Sequence, residues 1–100
     1  MVLEVAVLNV RPGSESAFEA AFQQASSIIS SMPGFVSHWL QRCIEVPNRY
    51  LLLVHWQSLE AHTIGFRGSP QYQDWKRLLH HFYDPFPIVE HYENVCSSAA

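Results

Sequence analysis

Basic side chains are scarce. Only six lysines and arginines occur among 100 residues, and they are scattered. Without a basic patch the chain lacks the electrostatic footprint of a nucleic-acid binder and the polybasic cluster that anionic membranes attract. No run approaches the ~20 consecutive apolar residues of a membrane span. The opening MVLEVAVLNVRPG carries Glu4 and no basic start, unlike a secretory signal. Cysteine is limited to Cys43 and Cys96, which are far apart and lack metal-type spacing. They are expected as free thiols in a reducing compartment, the cytoplasm. The four glycines all fall at turns, which leaves no Gly-rich loop to cradle a phosphate.

What the chain has instead is apolar and aromatic surface: 48% of residues are hydrophobic and 13% aromatic, with a net charge of -3. That suits one domain over residues 1–96, followed by a short disordered tail, 97–100. A chain this short buries only about 60–70% of its unfolded surface, so self-association would help it.

The β-branched run at 2–10 reads as a first strand. From Ser14 the period becomes helical, and Phe18, Phe22, Ala25, Ile29 and Met32 form one stripe until Pro33-Gly34 stops it. Ser14 is placed to cap this helix. Residues 35–46 and 49–56 read as a hairpin turning at Pro47-Asn48, which sets Trp39 opposite Trp56. Ser58 caps a short helix over about 59–67. Ser69 caps another, with Pro70 at its first position, where the missing N–H costs nothing. Residues 85–95 supply a last strand. The order β-α-β-β-α(α)-β predicts an α+β, ferredoxin-like fold: a four-stranded antiparallel sheet with its helices on one face. VAVL and YLLLV are apolar on both parities, so the other face also wants cover, and a homodimer packed sheet to sheet provides it.

This order, the doubly apolar sheet and the stretch WQSLEAHTIGFRGSPQY resemble the antibiotic biosynthesis monooxygenase (ABM) family of dimeric α+β barrels. Pro33-Gly34-Phe35, Pro47-Asn48-Arg49-Tyr50, Trp56-x-Ser58, Glu60-Ala61 and Ser69-Pro70 carry the resemblance, which covers about residues 2–95. It implies a pocket between sheet and helices. It also implies, for some members, oxygenation of polycyclic phenols to quinones without metal, flavin or haem. A haem-degrading branch has an Asn late in the first strand, a Trp after the Trp-x-Ser element and a His on the next helix. Here Asn9 fits, but Gly65 or Phe66 and Trp75 or Lys76 hold the other two places, which argues against haem degradation. Other members carry a His where this chain has Phe66, and the histidine here stands one turn earlier, at His62.

The site candidates follow from spacing. His62 and Phe66 share a helical face, as do Tyr72 and Trp75, so these two faces can line one pocket or simply be core. Asn9 interrupts an apolar strand, and a buried amide needs a partner. In the catalytic reading His62 is the base, Asn9 and Tyr72 hold substrate oxygens, and Trp56, Phe66 and Trp75 shape a slot for a small aromatic ring. No cofactor is expected. No metal is expected either, because the six histidines show no ligand-type spacing. The alternative is a dimeric ligand-binding or stress-response protein without turnover.

Overall fold

The computed structural model describes all 100 residues. Strands β1 (Val2–Asn9), β2 (Phe35–Arg42), β3 (Arg49–Trp56) and β4 (Val89–Tyr92) form one antiparallel sheet in the order β2-β3-β1-β4. Helix α1 spans Glu15–Ser30, a π-helical segment Ala61–Phe66, and helix α2 Pro70–Leu79, followed by a 3-10 turn at His80–Phe82. This is the α+β, ferredoxin-like arrangement that the periodicity predicts.

Alternation along the strands sorts the sheet's two faces. Ala6, Leu8, Tyr50, Leu52, Val54 and Trp56 are buried beneath the helices. The stripe of α1, Phe18, Phe22, Ala25 and Ile29, packs onto them. Phe18 is the hub: it is fully buried, with Phe22, Tyr50, Phe82 and Tyr83 all within 6.0 Å between ring centroids. Phe18→Ala is expected to cost about 3–5 kcal/mol in chemical denaturation, since the site combines lost transfer energy with a cavity that four fixed rings cannot close.

Four details differ from the sequence reading. First, β2 ends at Arg42, and residues 43–48 form a longer connection closed by a hydrogen bond from Cys43 N–H to the Arg49 carbonyl. Pro47-Asn48 is only the last part of that turn. Together with an irregularity between Phe35 and Ser37, this shifts the register: Trp39 faces Leu53, and Phe35 faces Trp56. Second, β4 is limited to four residues, because Pro85 and Pro87 offer no N–H to a ladder. Third, Ser14 precedes α1 but makes no side-chain cap; the Glu15 carboxylate accepts from Gly13 N–H instead, at 2.8 Å. Fourth, the segment after Ser58 winds as a π-helix, with Arg67 N–H reaching back to the His62 carbonyl at 3.0 Å. Ser58 and Ser69 do cap as expected, accepting from Ala61 and Tyr72 N–H respectively.

Two glycines are required by close approach. Gly34, at φ 85°, follows α1, and a Cβ there would sit 2.6 Å from that of Ala61. At Gly68, where the π-helix gives way to α2, a Cβ would lie 2.5 Å from the Ile64 carbonyl oxygen.

Candidate active site

A cavity of about 340 Å³ opens between the inner face of β1 and the wall made by the π-helix, α2 and the loop after Tyr83. Its apolar lining includes Ala6, Leu8, Leu52, Phe66 and Trp75, and its polar lining includes Glu4, His62, Arg67, Tyr72 and His80. The π-helix turns both His62 and Phe66 inward, at 3% and 1% exposure, while Ile64 on the same segment points out. A π-turn is itself a feature that recurs at functional sites. Phe66 stands edge-on to Tyr72 and Trp75, at 5.2 and 5.6 Å between centroids. The joint at Gly68 makes this convergence possible. The stretch His62–Trp75 therefore lines a cavity as well as linking two helices.

Of the residues expected at the site, His62, Phe66, Tyr72 and Trp75 meet at this cavity. Asn9 and Trp56 lie outside its lining. Asn9 sits at the end of β1 opposite Arg49, and its backbone carbonyl accepts from Asp84 N–H, which ties the end of β1 to the chain after the 3-10 turn. Trp56 is fully buried behind His62, stacked on it at 5.3 Å with 15° between planes. It shapes the site from beneath.

The residue that sequence reasoning passed over is Glu4. It is 5% exposed on the inner face of β1, sharing parity with Ala6 and Leu8. Trp56 Nε1–H donates to its Oε1 at 2.9 Å, and His62 Nε2 lies 3.3 Å from the same oxygen. On its other side, His62 Nδ1 hydrogen-bonds His91 Nε2 at 2.7 Å. His91 in turn pairs with Glu4 across the β1–β4 ladder. Glu4, His62 and His91 thus form one chain of polar contacts from the cavity floor to the sheet edge. The parity of Glu4 with the buried positions of β1 was the signal for it.

Burial sets the charge states. It pushes the Glu4 carboxyl above its usual range, against the opposing pull of the Trp56 hydrogen bond and the Arg67 charge. It pulls His62 down to about 3, helped by the positive charge of Arg67 and by His91. The Glu4–His62 approach has ion-pair spacing, but the imidazole is neutral at neutral pH. With a carboxylate beside Nε2, the favoured tautomer carries its proton there and accepts from His91 at Nδ1.

The sign of the resulting pH dependence is fixed. Four imidazoles, His38, His62, His80 and His91, are depressed by burial, so the unfolded chain takes up their protons first. Stability falls as pH drops below about 6.5. Glu4 alone works the other way, since a raised carboxyl loses stability as pH rises through its window. The histidines outnumber it. Thermal unfolding at pH 5 is expected well below that at pH 7.5, with His62 alone contributing about 2 kcal/mol of the loss. A flat profile over that range would show that these imidazoles are not desolvated.

Similarity to known proteins agrees with the fold. The sequence profile described as antibiotic biosynthesis monooxygenase matches residues 1–78. The chain belongs to the ABM family. YczJ of Bacillus subtilis strain 168, itself uncharacterised, is 56% identical over 95 residues, covering 95% of this chain and all of that one. A candidate antibiotic biosynthesis monooxygenase from Bordetella bronchiseptica has a crystal structure that superimposes with a TM-score of 0.90 at 35% identity, covering 95% of this chain and 97% of that one. SnoaB from Streptomyces nogalater, described as a cofactor-independent oxygenase, shares the ABM fold in the crystal structure of a mutant: TM-score 0.73, 22% identity, 98% and 94% of the two chains covered. No helix of this ABM protein is long and apolar enough to cross a membrane. No three His, Cys, Asp or Glu side chains converge as a metal cage.

Proposed function

We propose that this chain is a cofactor-independent monooxygenase acting on a small planar phenol or hydroquinone held in the cavity between sheet and helices. One observation carries the reading: a ring-sized, aromatic-walled cavity ends at a buried carboxyl–imidazole pair, in a chain of the ABM family. The volume falls within the range of small-molecule pockets.

The chemistry asks little of the protein. Removing the phenolic proton makes an electron-rich anion that reacts with O₂ directly. One oxygen atom becomes the new carbonyl at a ring carbon that bore hydrogen. The other leaves as water with the hydrogens of the O–H and C–H bonds. The protein supplies a base, a fixed orientation and exclusion of water. The Glu4–His62 pair provides the base, Phe66 and Trp75 flank the ring, and Tyr72 and Arg67 reach the oxygens of the bound anion.

A homodimer belongs to this reading. The outer sheet face has no cover within the chain: Val7, Trp39 and Tyr92 are 44%, 47% and 52% exposed there. Leu3, Val5, Leu51 and Leu53 lie between them, half-buried. A second copy would bury this apolar area, and two free thiols suit the cytoplasm.

The test is O₂ consumption with 1,5-dihydroxynaphthalene, whose oxygenation gives 5-hydroxy-1,4-naphthoquinone and water. Protein-dependent uptake of one O₂ per quinone is expected. Saturable binding without uptake, across a series of hydroquinones, would replace the oxygenase with a ligand-binding protein.

A further inference from the structure

We propose that Glu4, through Oε2, is the catalytic residue that takes the proton from the bound ligand's hydroxyl, and that His62 positions it. The inference rests on the phenol-site reading above but assigns the proton to a different atom from the histidine that the sequence singles out.

The geometry separates the two groups. His62 Nδ1 hydrogen-bonds His91 at 2.7 Å, and Nε2, which carries the proton in the tautomer assigned above, faces Glu4 Oε1 at 3.3 Å. A neutral imidazole in that tautomer has no free lone pair to offer a ligand. Glu4 divides its work between its oxygens. Oε1 takes both the Trp56 donor and the His62 contact. Oε2 has no protein partner, yet no fully buried side-chain oxygen or nitrogen in the protein is left unpartnered. Oε2 is therefore accessible, and the space beside Glu4 is the cavity it lines.

The surroundings suit proton uptake. The ionisable groups around Glu4 are His62 and Arg67 from the π-helical side, His91 on β4, and Tyr72, His80 and Tyr83 across the cavity. β3 contributes only Val54 and Trp56 beside it. Arg67 keeps the carboxylate ionised enough to act, while burial keeps it basic enough to accept. In the step itself the ligand's O–H bond breaks and an O–H bond forms on Oε2. No electron leaves the ligand.

Excited-state proton transfer tests this without O₂ chemistry. 2-Naphthol becomes a strong acid on excitation, and it emits at different wavelengths as naphthol and naphtholate. Bound to the wild type and excited to the red of tryptophan, it should emit chiefly as naphtholate. In Glu4→Gln, which keeps the acceptor for Trp56, the naphtholate-to-naphthol ratio should fall at least fivefold with little change in Kd. In His62→Gln, whose amide can still donate to Glu4, naphtholate emission should fall far less than in Glu4→Gln. Should Glu4→Gln fail to fold, the wild type decides: acid should switch the bound emission to naphthol at the pH where the ¹³C-carboxyl signal of Glu4 titrates. Emission that ignores Glu4 but is lost in His62→Gln would overturn this assignment and leave the cavity reading standing. If 2-naphthol does not bind at millimolar concentration, both fall.

Discussion

Leu53→Arg is expected to convert a dimer into a folded monomer. Leu53 lies at the centre of the outer sheet face, flanked by Val5 on β1 and Trp39 on β2. Its parity points it away from the core that Leu52 and Val54 enter, so an arginine there can reach solvent in the monomer. In the dimer it would be buried without a partner, which costs about 3–5 kcal/mol, or roughly a 10²–10⁴-fold weaker association. An interface of the expected standard size, about 1,200–2,000 Å², has little surplus to absorb that. Sedimentation velocity should show the mass halving at micromolar protein while far-UV circular dichroism stays unchanged. A wild-type chain that already sediments as a monomer would remove the dimer from the account.

His62→Ala is expected to lower the rate of 1,5-dihydroxynaphthalene oxygenation by about 10²-fold, the loss that a misplacement of about 1 Å brings to a reacting pair. The imidazole touches Glu4, His91, Trp56 and the cavity at once. Removing it frees the carboxylate to turn away and admits water where a ring stood. The loss should appear in kcat more than in KM, because the aromatic walls that hold the substrate remain. A variant that keeps wild-type turnover would show that His62 does not position the carboxylate.

The sequence revealed this architecture unevenly, for physical reasons. The stripe Phe18–Phe22–Ala25–Ile29 was legible because helical burial repeats every 3.6 residues, and the structure buries all four. His62, Phe66, Tyr72 and Trp75 were legible as one lining because local helical spacing carries over almost unchanged into the π-turn. The hairpin register was not. It depends on the length of the 43–48 connection, and Pro47-Asn48 marks a turn without fixing where pairing resumes. The backbone role of Asn9 was not legible, because the bond from Asp84 N–H to its carbonyl does not depend on which side chain the residue carries. Glu4 was overlooked for another reason. A lone acid near the start of a strand reads as solvated, and its partners Trp56, His62 and His91 come from three other elements that only the fold assembles.

The most direct test of the account is a crystal structure of the protein with 1,5-dihydroxynaphthalene bound without oxygen, so that the ligand survives. The expected result is one naphthalene ring in the cavity, packed against Phe66 and Trp75, with a hydroxyl within about 3 Å of Glu4. A ligand seated elsewhere, or a cavity that stays free of it at saturating concentration, would contradict the claim that this space is a site for a phenol.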